Sequence, residues 1–402
     1  RSYGQDAPAG AEGGGRASAS DSISEARGTG LPGCATGHSM SQRITADLVR
    51  PRRPRLFYLD LVRALATLII VLTHFNNPYL ADGGYLLTNQ PFGIYVGGLG
   101  VSLFLIISGA ALTYTYGGSG GLDLKRFYWK RFKGIYPMFW IAWFCVVVYY
   151  FIVTCGSPPI RAPLRNMVFT VLGMDGYLAN FHVPTAYILG EWFLGFIVIF
   201  YIIFPVLLWG VERFPVLTAA VLLLIYGATL LGLPSDPGFP TSILLPVRLP
   251  ELVFGMYFVR YVERIPPAVV VPAAVVLAVS ALLPRQIPED VATTAVGMSF
   301  FLILVVLGRV VAIGPVKVLV SLIAKYSYPI FLMHHVVIME MYAKINTMTF
   351  LPVQWWFMLA AICLVTFALA VALDRVTAVV TAYFGRSFKG EWWKPQVVDA
   401  GR

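Results

Sequence analysis

The residues best suited to chemistry stand where charge is costly. The run from Phe57 to Phe75, FYLDLVRALATLIIVLTHF, is apolar enough to cross a bilayer, yet it carries Asp60, Arg63 and His74. About twenty helical residues, rising ~1.5 Å each, span the ~30 Å hydrocarbon core. An ionisable group at mid-depth costs roughly 2.5–3.5 kcal/mol on insertion scales, so such groups sit near an interface or serve a polar interior. Asp60 and Arg63, three apart, share a helix face near one end, whereas His74 lies ~21 Å further along the axis. One helix therefore presents chemistry at both membrane surfaces. A neutral imidazole accepts a proton from a hydroxyl near pH 7, which suits His74 to general-base work; a lone membrane histidine serves equally as a hydrogen-bonded structural residue. No histidine stands at i+3 or i+4 from His74, so no metal is expected there unless His182 or His334 converges by folding.

Further polar groups recur in other apolar runs. The basic segment LDLKRFYWKRFKGIYP holds Lys130, Arg131 and Lys133; it can anchor topology or hold the phosphates of a cytoplasmic cofactor. VGGLGVSLFLIISGAALTYTY is rich in small residues, which suits close helix packing. GEWFLGFIVIFY places Glu191 near a membrane surface, and Arg248 and Glu251, three apart, have the spacing of a structural brace. SLIAKYSYPIFLMHHVVIMEM carries Lys325, His334, His335 and Glu340. Adjacent helical residues diverge by ~100°, so only one of the two histidines is expected to face a site.

The elements that must position these residues are helices. With 402 residues, 58% hydrophobic and 12% charged, the chain is read as an all-α, polytopic integral membrane protein with about ten transmembrane helices. They are expected near 57–75, 95–116, 135–154, 186–209, 216–233, 244–261, 268–283, 293–312, 318–341 and 353–375. The net charge of +10 would suggest nucleic acid in a soluble chain, but here the basic residues flank apolar runs, so no nucleic-acid partner is expected. Their asymmetry places both termini in the cytoplasm of a plasma-membrane protein surrounded by lipid. Residues 1–54, rich in Gly, Ala and Ser, are expected to be a disordered tail, with Met40 as an alternative start; 55–383 form the transmembrane domain and 384–402 a short basic tail. The connection 155–185 is expected to cap the outer mouth of a cavity. Cys34, Cys145, Cys155 and Cys363 have neither zinc-site nor disulfide spacing and are expected to be free thiols.

In family order, several segments resemble acyltransferase family 3. YLDLVRALATLIIVLTHF is similar to its opening signature, GLGVSLFLIISGAAL to its second helix, KRFKGIYP to the basic start of its third, EWFLGFIVIFYIIFP to its Trp-centred fourth and RLPELVFGMYF to its sixth. YSYPIFLMHHVVI is similar to its late Ser-Tyr-to-His segment. Together these cover most of residues 55–380. Two positions depart: Gly134 stands where the family often has a second arginine, and Glu191 where it often has histidine before the tryptophan. The resemblance implies transfer of an acyl group, commonly acetyl, from cytoplasmic acyl-CoA to a hydroxyl of an extracytoplasmic carbohydrate or lipid-linked glycan. It further implies that Arg63, Lys130, Arg131 and Lys133 hold CoA phosphates, that Asp60 orients Arg63, that His74 acts on the acceptor, and that Glu191 and His334 support the acceptor or His74. A carrier or flippase for glycans or lipids is the alternative on the same polar groups.

Overall fold

A computed structural model of the chain describes residues 54–387, apart from 82–83, 119–120, 158–159, 161, 191, 233–240 and 284–286. Residues 1–53 of the tail expected over 1–54, with Met40 and Cys34, together with Glu191 and the residues beyond 387, lie outside the described residues. The helical unit starts at Arg55.

Among the described residues there are helices and turns and no strands. Ten longer helices correspond one to one with the apolar runs: α1 Phe57–Ala81, α2 Val96–Tyr116, α3 Leu124–Val153, α6 Phe193–Arg213, α7 Pro215–Gly232, α8 Leu245–Tyr261, α9 Val270–Leu282, α10 Glu289–Val310, α11 Gly314–Lys344 and α12 Pro352–Ser387. Two short helices, α4 Met167–Val171 and α5 Asp175–Ala179, lie between α3 and α6. Eight of the ten are long and apolar enough to cross a membrane; α8 and α9 are shorter. The chain is an all-α polytopic membrane protein.

Two boundaries differ from expectation for local reasons. Helix α3 begins at Leu124, because the Asp123 carboxylate accepts the Arg126 N–H at 3.0 Å and caps it there. The basic segment is thus the first turns of a 30-residue helix, ~45 Å long and longer than the hydrocarbon core. Helix α6 begins only at Phe193. Gly190 adopts φ +91° and passes so close to the His335 ring that any side chain would run into it.

The tightest helix pair is α2 with α8. A methyl at Gly109 would collide with the Leu252 carbonyl, and one at Gly255 with that of Ile106, so the small residues let the two backbones touch. One level away, Arg248 Nη1 bonds Glu251 Oε1 at 2.8 Å, and the Ser102 hydroxyl donates to the same oxygen at 2.8 Å. All three residues are buried, which makes the Arg248–Glu251 pair a brace across the α2–α8 contact.

The connection between α3 and α6 packs along the side of α3. Trp143 Nε1 donates to the Ala186 carbonyl, Trp140 Nε1 to that of Val171 and the Tyr136 hydroxyl to that of Leu172. Tyr136 is 17 residues, ~25 Å, before Val153 along α3. The connection therefore doubles back beside the apolar part of α3, and aromatic donors satisfy carbonyls that hydrocarbon cannot. Its other face exposes Leu164, Val168, Val171 and Leu172, side chains compatible with lipid.

Candidate active site

A cavity of about 360 Å³ runs between α1, α2, α3, α6 and α11. Arg63, Lys130 and Arg131 line one end, and His74 and Trp192 the other. Arg63 and His74 are eleven residues apart on α1, a turn of ~1,100°, which brings both within ~20° of one face and separates them by ~16 Å. Ile70 lies on that same stripe and also lines the cavity.

At the basic end, Arg131 is held by aromatic rings. Its Nη2 donates to the Tyr116 hydroxyl at 3.3 Å, and its guanidinium carbon lies 5.6 Å from the Tyr116 ring centre, 5.7 Å from that of Tyr201 and 6.0 Å from that of Phe127. Its Nε is buried with no hydrogen-bond partner among the described residues, a donor suited to an anion from the cavity. Lys130 is exposed beside it. Lys133 does not line the cavity: it lies ~200° around the helix from Arg131, with its Nζ 5.1 Å from the Trp129 ring centre. Asp60 does not pair with Arg63 as expected. Its carboxylate instead meets Arg55 Nε at 2.5 Å, because Arg55, just before α1, can fold back over the first turn. The Arg63 side chain remains directed into the cavity.

Gly134 lines the cavity at this basic end, and a side chain there would meet open space. The late Ser-Tyr motif is here too: Ser327 and Tyr328 line the wall, and the Tyr328 hydroxyl donates to the Ile135 carbonyl at 3.0 Å, tying α11 to α3.

At the other end three imidazoles meet. The His74 ring centre lies 5.1 Å from that of His334 and 5.2 Å from that of His335, while the latter two are 6.4 Å apart. Both adjacent histidines pack on His74, and neither lines the cavity itself. A ~100° divergence separates their directions, yet a third ring lying over the gap touches both. His334 is fully buried, with Nδ1 at 3.1 Å from the Ile330 carbonyl and 2.9 Å from that of Phe331. Carbonyls only accept, so Nδ1 carries the proton and Nε2 is the basic nitrogen of the neutral ring. His182 is exposed in the α3–α6 connection and does not line the cavity. Among the described residues no group of three His, Cys, Asp or Glu side chains could hold a metal ion.

Sequence reasoning missed the rings that line the cavity between its ends: Phe104, Phe193, Phe331 and Tyr201. It weighed His335 against His334 but not the bare α-carbon of Gly190, which makes room for the His335 ring. Cys145, Cys155 and Cys363 are free and none lines the cavity.

A family profile described as an acyltransferase domain matches residues 56–375, from the start of α1 into α12. No curated protein and no solved structure matches the chain. The profile takes in every helix that builds the cavity, and the chain belongs to acyltransferase family 3.

Proposed function

We propose that this membrane acyltransferase moves a short acyl group, acetyl in the first instance, from acyl-CoA at the cytoplasmic side to a hydroxyl of an extracytoplasmic carbohydrate or lipid-linked glycan. It would work in the plasma membrane with both termini inside. The observation that carries this reading is a single cavity with three cationic side chains at one end and His74 at the other. A donor with an anionic head and a long, thin arm fits such a space, and the buried, unpartnered Nε of Arg131 fits a phosphate.

In this reading Arg63, Lys130 and Arg131 hold the CoA phosphates, and the arm reaches along α1 to His74. His74 takes the proton of the acceptor hydroxyl as its oxygen bonds the acyl carbon. It returns that proton to sulfur as the carbon–sulfur bond breaks, so ester and thiol form with no net proton change. His334, its tautomer fixed by two backbone carbonyls, packs on His74 and orients it. Glu191 precedes the cavity-lining Trp192 and supports His74 or the acceptor. Asp60 steers Arg55 at the foot of α1, and Lys133 anchors α3 at the interface.

The test is label transfer from radiolabelled acetyl-CoA to extracted envelope glycans by purified protein in vesicles. Wild type is expected to label a glycan fraction and His74→Ala to lose at least ~100-fold in rate, the lower range for a positioned general base. Normal labelling by folded His74→Ala would remove the base from this scheme. Glycan movement without acyl-CoA consumption would favour a carrier.

A further inference from the structure

A second cavity, of about 440 Å³, opens on the outside of the bundle between α3, α6 and the connection that joins them. Arg131, Ile135 and Tyr201 line both cavities, so a wall one side chain thick separates this groove from the candidate active site. Two hydrogen bonds tie the groove's walls together: the Tyr128 hydroxyl donates to the Ile202 carbonyl at 3.0 Å, and the Tyr136 hydroxyl to that of Leu172 at 3.0 Å. The two tyrosines are ~12 Å apart along α3. Phe132, Leu172 and Ile202 are exposed at the groove's mouth. Among the described residues Arg131 is the one charged side chain that lines it, and no lining residue is acidic. Lys125, seven residues before Phe132, points within ~20° of the same direction and stands ~10 Å nearer the water. Both cations belong to the basic first turns of α3, ahead of the apolar run that begins at Ile135.

We infer that this groove is a binding site for an anionic phospholipid of the surrounding bilayer, with its phosphate between Lys125 and Arg131 and one acyl chain along Phe132, Met174 and Ile199. The inference goes beyond acyl transfer and stands without it. Cations at the headgroup level with apolar surface directly below them repeat, along α3, the order of phosphate and chain in a phospholipid. The mouth faces the bilayer, so a lipid enters sideways without leaving the membrane. A guanidinium has five N–H donors, and the one that Arg131 gives to Tyr116 at 3.3 Å leaves others for a phosphate. A zwitterionic headgroup would bring its own cation beside Lys125 and Arg131, so charge selects an anionic lipid. A free phosphate would meet the cations but leave the apolar length of the groove uncovered.

The experiment is native mass spectrometry of the purified full-length protein, released from detergent after exposure to equal amounts of phosphatidylglycerol and phosphatidylcholine. Each cation beside a headgroup favours an anionic lipid by about fivefold, so wild type is expected to prefer phosphatidylglycerol by at least ~10-fold. Lys125→Gln, at an exposed position outside the active-site cavity, should lower that preference by ~5-fold and leave phosphatidylcholine binding unchanged. Ile199→Trp, which fills the groove from α6, should remove one bound lipid of either kind. Where Ile199→Trp misfolds, the surface change Lys125→Gln decides alone. A wild type indifferent to headgroup charge overturns the inference. So does a preference that survives the variants, since the anion would then be held elsewhere. Release of the bound phosphatidylglycerol by an equal concentration of inorganic phosphate also overturns it, because the cations would then bind phosphate without the groove.

Discussion

Arg131→Gln separates phosphate recognition from every other role of the basic end. The side chain keeps its polarity but loses its charge and the Nε donor that lies buried without a partner. A hydrogen bond to a charged group contributes about 1.5–3 kcal/mol, and each ~1.4 kcal/mol is tenfold in affinity, so acetyl-CoA should bind about 10- to 150-fold more weakly. The substitution also removes contacts with Tyr116, Tyr201 and Phe127. At ~0.5–1 kcal/mol per cation–π contact, it should lower thermal stability as well. Stability loss alone would weaken every ligand alike, so the assay pairs acetyl-CoA with S-acetylpantetheine, which has the thioester arm but no phosphate. Affinity for acetyl-CoA should fall by the amount given while that for S-acetylpantetheine stays within about twofold. Equal losses for both, or none for either, would refute Arg131 as a phosphate ligand.

Two further predictions concern the frame around the cavity. Glu251→Ala leaves Arg248, 3% exposed, as a buried uncompensated charge, and should cost about 3–5 kcal/mol in chemical unfolding; Arg248→Met combined with Glu251→Leu should restore most of it. A double variant as unstable as the single one would mean the pair does more than brace α2 against α8. In the α3–α6 connection, burial pushes the Asp175 carboxyl up from 3.8 to about 6, partly offset by the Thr170 hydroxyl. The folded protein then holds this proton more tightly than the unfolded chain, so the stabilisation is complete below pH ~3.8 and is lost as pH rises toward 6, by at most about 3 kcal/mol. Wild type should melt at a lower temperature at pH 7.5 than at pH 5, and Asp175→Asn should flatten that slope. An unchanged slope in the variant would assign it to other groups.

How legible each part was depended on which distances a sequence encodes. Apolar runs and breakers locate the ten longer helices, since hydrocarbon imposes a minimum length and an apolar composition on each. Positions along one helix were also readable. Arg63 and His74 are eleven apart, and that interval returns to the same face, so placing chemistry at both ends of α1 needed no tertiary information. Contacts between helices were not readable. That Asp60 orients Arg63 was implied by the resemblance, whereas the carboxylate meets Arg55, which lies outside the helix and folds back over its first turn. The reading of the adjacent histidines treated α11 in isolation, and only the approach of α1 brings His74 against both rings. The α3–α6 connection was read as an outer cap because its prolines and polar residues cannot span. Only the donors Tyr136, Trp140 and Trp143 on another element let it return alongside α3.

On the proposed scheme the cavity reaches both sides of the bilayer, and the same geometry keeps it from becoming a channel. Its basic end is open enough to leave Lys130 exposed, and its far end holds a half-buried His74. Between them the lining is mostly aromatic and aliphatic, with Ile70 on the α1 stripe and Phe104, Phe193 and Phe331 across it. Water and ions crossing that stretch would give up hydrogen bonds that these side chains cannot replace, whereas an uncharged donor arm gives up far less. Phe104, Phe193 and Phe331 therefore form the barrier on the proposed scheme. Phe193→Ala should raise passive ion leak through vesicles holding the purified protein, and an unchanged leak would place the barrier elsewhere.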